Sequence, residues 1–144
     1  MEKVSRALVG VAGVHWVVSE LSWRGIIALP TVRNTAGVDI LCTNKDGSKI
    51  ALLQVKSSSK KVSFWPTPKG DAILSGKYCY YVFLRYAHDI DDFEAFLVPG
   101  KEVKEQVIEN EKGYHEKGLK EFTFFSLYKD DAATYKKNWE EFSI

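Results

Sequence analysis

The stretch Ala36–Lys56, AGVDILCTNKDGSKIALLQVK, predicts a β-hairpin. Two apolar runs, at 38–43 and 49–56, flank the turn sequence NKDG at 44–47. Asp-Gly is a strong signal for a two-residue hairpin turn. If that pair is the centre of the turn, residues whose numbers add to 93 face each other across the hairpin.

This register brings three polar side chains together at the open end of the hairpin. Asp39 pairs with Gln54, and opposite residues in a sheet have Cβ atoms about 5 Å apart. Lys56 shares the face of Gln54 because side chains alternate along a strand. Both faces of the hairpin also carry apolar residues, so we expect it to be buried on both sides.

A charged Asp and Lys on an apolar surface are costly unless they have partners. A divalent metal resolves that cost, because Asp39 supplies a carboxylate, Gln54 an amide oxygen and Val55 a backbone carbonyl. Mg²⁺ suits such a sparse oxygen site, and we expect Mn²⁺ to substitute for it. Lys56 then holds a phosphate or helps to deprotonate the attacking water. The alternative is a structural cluster in which Lys56 pairs with Asp39 and Gln54 bonds the backbone.

The order of elements predicts a mixed α/β fold. A helix is expected from residue 4 to about 24, with Gly25 at its end. In it, Gly10 and Gly13 each cost about 1 kcal/mol relative to Ala, or permit close packing on a sheet. Strands are expected at 26–29, 38–43, 49–56, 78–86 and 93–98, with a long loop at 57–76. A helix at 101–111, ended by Gly113, and a strand-like run at 119–128 follow. Asp130 or Asp131 is expected to cap a last helix, whose apolar contacts are Ala133, Trp139 and Phe142.

This order of elements predicts a central mixed sheet flanked by helices. The order is helix, three strands, loop or short helix, two strands, helix, strand and helix. The length of 144 residues predicts a single domain, 1–144. The apolar run at 7–18 is too short to span a bilayer and lacks a signal-peptide cleavage site. Cys42 and Cys79 lie in apolar runs and show no disulfide or zinc spacing. We therefore expect a cytoplasmic protein without a membrane partner.

Charge is unevenly distributed along the chain, although the net charge is only +1. Residues 1–77 hold 11 Lys and Arg against 5 Asp and Glu, whereas residues 78–144 hold 9 against 14. This distribution predicts a phosphate-facing side built from the first half. Chance, combined with an acidic face on a C-terminal helix, is an equally open explanation.

The pattern of Asp39 followed by Gln54-Val55-Lys56 resembles the catalytic motif of the PD-(D/E)xK nuclease superfamily. That superfamily includes restriction endonucleases, Holliday-junction resolvases and Mrr-type restriction proteins. Small stand-alone members are also similar in their flanking pattern, which here reads Gly37-Val38-Asp39, Tyr81-Val82-Phe83 and Val98-Pro99. The resemblance covers about residues 5–110.

The resemblance implies a restriction-endonuclease-like core and a metal-dependent DNA endonuclease or resolvase-like enzyme. Asp39, Gln54 and Lys56 then match the catalytic positions, with Asp39 and Gln54 as metal ligands. It also implies double-stranded, branched or nicked DNA as the partner and a homodimer as the assembly. A catalytically weak or inactive module that binds nucleic acid is the alternative, and a structural or protein-interaction subunit is a third hypothesis.

One position departs from the family pattern. Val14 occupies the place on the first helix where the family usually has Glu. Glu20 is the nearest acid on that helix and a weak candidate for a metal ligand, or else pairs with Arg24. His15 is expected on the inward face, near the metal or as a hydrogen-bonded core residue. With Gln54 neutral, Asp39 is the only negative ligand, so metal binding should be weak.

The loop after the hairpin contains basic and aromatic residues that suit contact with a nucleic-acid backbone and stacking on bases. The alternative is a solvated loop anchored by one aromatic side chain. The residues expected to bind nucleic acid are Arg33, Lys60, Lys61, Trp65 and Lys69.

Overall fold

The structure, a computed structural model, describes residues 3–32, 37–120 and 122–144. Within these ranges the helices are α1 (Arg6–Trp23), α2 (Gly100–Lys117) and α3 (Lys129–Glu140). The strands are β1 (Ile27–Pro30), β2 (Ile40–Thr43), β3 (Ile50–Ser58), β4 (Phe64–Pro66), β5 (Cys79–Ala87), β6 (Asp92–Pro99) and β7 (Phe124–Ser126), with a 3-10 turn at Gly70–Ala72. The predicted α/β class and the order of its main elements are confirmed.

The main sheet is mixed, as the sequence predicts. In the described residues it has five strands in the order β1-β2-β3-β5-β6. The pair β3–β5 is parallel and the other neighbours are antiparallel. The loop between β3 and β5 contains β4, which the sequence does not predict. It pairs with β7, placing Trp65 opposite Phe125.

Two apolar cores lie on opposite faces of the sheet. Helices α1 and α3 cover one face, where Leu53 and Val55 of β3 are buried. Helix α2 and the β4–β7 pair cover the other, where Tyr81 and Phe83 are buried. The expectation that the hairpin is buried on both sides is therefore half correct. The face that carries Ile40, Leu53 and Val55 is buried. On the opposite face, residues 41, 52, 54 and 56 are only half-buried.

Helix α1 contacts the sheet most closely at Gly13. A β-carbon at Gly13 would collide with the Ser57 hydroxyl, whereas nothing lies within 4 Å of one built at Gly10. Gly25 follows the helix with a φ of +79°, which glycine tolerates best. Among the residues described, no helix combines the length and apolar character that crossing a membrane requires.

The predicted end of α2 at Gly113 is wrong. The helix continues to Lys117, and Gly118 caps it in the left-handed conformation with a φ of +62°. A glycine inside a helix costs only about 1 kcal/mol, which packing readily offsets.

The predicted start of α3 is also wrong. Its N-cap is Tyr128, so Asp130 and Asp131 lie in the first turn instead. There they interact favourably with the positive end of the helix. Trp139 and Phe142 are buried as predicted, but Ala133 is exposed.

Candidate metal and phosphate site

The hairpin register is confirmed along β2 and β3. In all four ladder pairs, from Ile40 with Leu53 to Thr43 with Ile50, the two residue numbers add to 93 as predicted. The register does not extend to Asp39 as expected. The backbone N–H of Asp39 donates to the Leu53 carbonyl at 2.9 Å, so Asp39 and Ile40 both face Leu53. This is the arrangement of a β-bulge, which re-aims a side chain. The predicted direct pairing of Asp39 with Gln54 is wrong by one residue.

The bulge directs the Asp39 side chain toward the backbone of β3. Its Oδ2 accepts a hydrogen bond from the backbone N–H of Val55 at 2.7 Å. Its own carbonyl accepts one from Thr31 at 2.9 Å. In an antiparallel ladder the N–H and C=O of one residue point to the same neighbour. The Val55 carbonyl therefore points toward the side on which Asp39 lies.

Gly37 gives the chain the freedom to enter this bulge. Its φ is +71°, a conformation that side chains rarely adopt. A β-carbon there would also lie 3.2 Å from Leu74 Cγ. The Gly-x-Asp sequence thus has a local structural reason, because the glycine turns the backbone and the Asp then bonds to β3.

The Gln54 side chain is incompletely satisfied. Its Oε1 atom is buried and has no hydrogen-bond partner within residues 3–32, 37–120 and 122–144. A buried acceptor without a donor costs about 1–3 kcal/mol, and unpaired groups of this kind are uncommon in folded proteins. An amide oxygen in this state is chemically suited to a hard cation such as Mg²⁺.

Lys56 lies on the same face as Gln54, two residues further along β3. Burial lowers the pKa of its ammonium group below the usual range, and the nearby Asp39 carboxylate raises it in part. The same carboxylate also affects the pKa of Tyr81. Burial raises the pKa of the Tyr81 phenol to about 12, the Leu74 backbone N–H lowers it, and the Asp39 charge raises it. Asp39, Lys56 and Tyr81 therefore share one electrostatic environment.

Two contacts expected of a plain structural cluster are not found among the described residues. Direct ion pairs within residues 3–32, 37–120 and 122–144 join Arg85 to Glu94 and Lys137 to Glu141, but not Lys56 to Asp39. Gln54 Oε1 does not bond the backbone either. The described residues also contain no group of three or more His, Cys, Asp or Glu side chains placed to hold a metal. A cation here would depend on one carboxylate and neutral oxygens.

Helix α1 contributes no acid to this cluster. Val14 is half-buried and packs against the core beside α1. Glu20 is half-buried and lies seven residues after Gly13 on this helix. Within the described residues, no hydrogen bond or ion pair joins it to Asp39 or Lys56. Its expected partner Arg24 instead donates to the Trp139 carbonyl and lies over the indole ring. His15 is exposed, so its expected inward position is wrong.

The residues expected to bind nucleic acid are divided by the structure. Lys60, Lys61 and Lys69 are exposed. Trp65 is only 2% exposed, and its Nε1 donates to the Leu84 carbonyl at 2.9 Å. It packs in the core and cannot stack on a base, so that expectation is wrong. Arg33 lies outside the described residues.

Sequence reasoning missed Tyr81 as a neighbour of the site. The parallel register places Tyr81 beside Gln54, on the same face of the sheet. Knowledge of the pairing of β3 with β5 would have identified it, but local sequence patterns do not reveal that pairing. Leu74 was missed for the same reason, because it comes to Tyr81 from the long connection between these strands.

Comparisons with known proteins show a similarity of fold. No protein-family model and no curated protein matches the sequence. Among solved structures, the fold is similar to a bacterial homing endonuclease, I-Ssp6803I, with a TM-score of 0.56 and 14% identity. The match covers 96% of this chain and 91% of that chain. At this identity the similarity establishes the fold.

Proposed function

We propose that the chain is a metal-dependent DNA endonuclease or resolvase-like enzyme of the PD-(D/E)xK type, which hydrolyses phosphodiester bonds. The observation that carries the proposal is the buried, unpartnered Oε1 of Gln54 on the strand that Asp39 contacts. Lys56, on the same face, supplies a cation whose pKa is lowered. A solved structure of similar fold is described as a homing endonuclease, which supports the nuclease part of the proposal.

The oxygen ligands fit Mg²⁺ or Mn²⁺. Asp39 would provide one carboxylate oxygen, Gln54 its Oε1 and Val55 its backbone carbonyl. When bound, Mg²⁺ acidifies a nearby water and offsets the negative charge that develops on the phosphate. The Val55 N–H fixes the Asp39 carboxylate before any ligand arrives, so little ordering is needed on binding.

Lys56 would take the proton from the attacking water. Burial lowers the pKa of Lys56, which makes the neutral amine that this role requires easier to form. The second role consistent with its position is to hold the phosphate as a cation. Lys56→Arg separates the two roles, because Arg keeps the charge but stays protonated. We expect this variant to lose cleavage while retaining DNA binding.

DNA is the proposed partner, in double-stranded, branched or nicked form. Lys60, Lys61 and Lys69 are exposed and suit contact with phosphates. A homodimer, which would present two sites to two strands, and a cytoplasmic location complete the proposal.

A cleavage assay tests this function. Plasmid, branched and nicked DNA are incubated with the purified chain in Mg²⁺, Mn²⁺ or EDTA. Cleavage should need the metal and should disappear in Asp39→Asn, whose amide oxygen can still accept from the Val55 N–H. Circular dichroism should show that this variant is folded. Unchanged cleavage by folded Asp39→Asn would reject the assignment.

Val14 favours a second function, binding of nucleic acid without cleavage. With an apolar residue at this position, one carboxylate remains to hold the metal, and affinity at oxygen sites rises with ligand charge. This alternative predicts binding that weakens steeply with salt and no cleavage in any metal. Gain of cleavage in Val14→Glu would support it.

A further inference from the structure

A cavity of about 390 Å³ lies between the start of α1, the end of β3 and β4. Its volume is within the range of small-ligand pockets. We call it the basic pocket. The residues that line it are Lys3, Val4, Arg6, Val9, Ser57, Ser58, Ser59, Lys60, Val62, Phe64, Trp65 and Pro66.

The charge of the basic pocket is of one sign. Lys3, Arg6 and Lys60 line it, and its described lining includes no Asp or Glu. Within the described ranges, none of the three cations forms an ion pair. The first turn of α1 also contains no acid, so its positive end adds to the same potential. The pocket is therefore suited to an anion.

Phe64 adds an aromatic surface to the same pocket. It is 47% exposed, and its ring contacts Phe124 edge-on, with centroids 5.9 Å apart. The neighbouring Trp65 is buried beneath the pocket. Base stacking on an exposed ring of this kind is tolerant of sequence. Cations beside an accessible ring suit a phosphate joined to an unpaired base.

The basic pocket begins where the candidate metal site ends. Ser58 lines the pocket and lies two residues after Lys56, about 7 Å along the strand. Alternation places both side chains on the same face of β3. A strand whose phosphate lies at Lys56 thus brings a neighbouring nucleotide to the pocket.

From these observations we infer that the basic pocket binds one unpaired nucleotide of the nucleic-acid strand that occupies the Asp39–Lys56 site. Lys3, Arg6 and Lys60 contact its phosphate, and Phe64 stacks on its base. The position of this nucleotide in the substrate rests on the proposed nuclease function. Its binding does not, because the pocket holds none of the metal ligands.

Fluorescence anisotropy in EDTA tests the pocket without cleavage. The probe is a 3′-labelled single-stranded DNA of about 12 nucleotides, titrated at several salt concentrations. Arg6→Ala/Lys60→Ala should flatten the plot of log affinity against log salt by about 0.7, the contribution of one neutralised phosphate. Phe64→Ala should weaken binding about 5- to 150-fold without changing that slope.

Matched controls separate the pocket from general charge. Lys112→Ala/Lys136→Ala removes two exposed cations from α2 and α3 and should bind like the parent chain at every salt concentration. Phe64→Leu keeps apolar packing on Phe124 but should still lose stacking, which covers the case of an unfolded Phe64→Ala. Thermal melting confirms that each variant is folded.

Each result decides one claim. Loss of binding in the pocket variants, with parent-like binding by Lys112→Ala/Lys136→Ala, supports the pocket even if no DNA is ever cleaved. Parent-like binding by both folded pocket variants overturns it, even if cleavage is observed. Competition by a free nucleoside monophosphate as strong as that by the oligonucleotide would also overturn it, since the site would then recognise a free nucleotide.

Discussion

Gly13 of α1 lies directly against Ser57 of β3, and the space between them leaves no room for a β-carbon. Gly13→Ala should therefore destabilise the protein by about 1–3 kcal/mol, as overpacking of a close contact does. Urea unfolding measures this change.

Gly10→Ala is the matched control on the same helix. Its β-carbon would meet nothing within 4 Å, so the variant should gain about 1 kcal/mol from helix propensity. Opposite signs for the two substitutions are the expected result. Stabilisation by both would show that α1 does not approach β3 this closely.

Lys56→Met should stabilise the fold by about 0.5–2 kcal/mol at neutral pH. Under the proposed function, the same change should abolish cleavage. Burial lowers the Lys56 pKa in the folded state, so the folded chain binds its proton less tightly than the unfolded chain. The resulting cost is present in full below the folded pKa. It is relieved as pH rises from that value toward the ordinary 10.5.

The gain from Lys56→Met should accordingly shrink at alkaline pH. Urea melts at neutral and alkaline pH measure it, and Lys61→Met, at an exposed position, serves as the control that gains nothing. A loss of stability in Lys56→Met at neutral pH would contradict the assigned burial of this charge.

Trp65→Ala should destabilise the protein by about 3–5 kcal/mol, the usual cost of deleting a buried aromatic side chain. The change also removes the donor to the Leu84 carbonyl. The neighbouring Phe64→Ala should cost far less, because that ring is half exposed. Thermal melts of the two variants compare them directly, and equal losses would be inconsistent with the inward orientation of Trp65.

Cys79 should react with a thiol reagent in the native protein, whereas Cys42 should not. Cys42 is 0% exposed, and burial raises its pKa to about 12. Cys79 is half-buried. Titration with a chromogenic disulfide should give one reactive thiol in buffer and two in denaturant. The Cys79→Ala variant should give none in buffer. Rapid labelling of Cys42 would refute its burial.

Local chemistry accounts for the parts of the fold that the sequence predicts well. The two-residue period of the strands predicts the pairing of Ile40 with Leu53 and of the three pairs beyond it. The turn itself differs from the prediction, because the Gly47 N–H donates to the Asn44 carbonyl and the turn is centred one residue earlier than Asp46-Gly47. The bulge at Asp39 is not predictable in this way. It depends on bonds to Thr31 and Val55, which lie outside the turn.

Long-range pairing explains the failures near the site. Whether Trp65 faces solvent or the core is decided by β7, whose Phe125 lies opposite it but 60 residues later. The Tyr81 position depends likewise on the parallel register of β5 with β3. Composition and periodicity identify these side chains as strand residues without indicating which layer covers them.

The hydrogen bond between Asp39 and the Val55 N–H has an evolutionary consequence. The carboxylate has a structural role, because it accepts the hydrogen bond that a backbone carbonyl would accept if the β2–β3 ladder continued beyond its last pair. Under the proposed nuclease function, selection for folding alone would preserve Asp39 even in homologues that have lost cleavage. Gln54 and Lys56, whose polar ends are costly to bury, would drift toward apolar residues once selection for activity ceased. Among homologues, substitutions at positions 54 and 56 should therefore mark lost activity earlier than substitutions at 39.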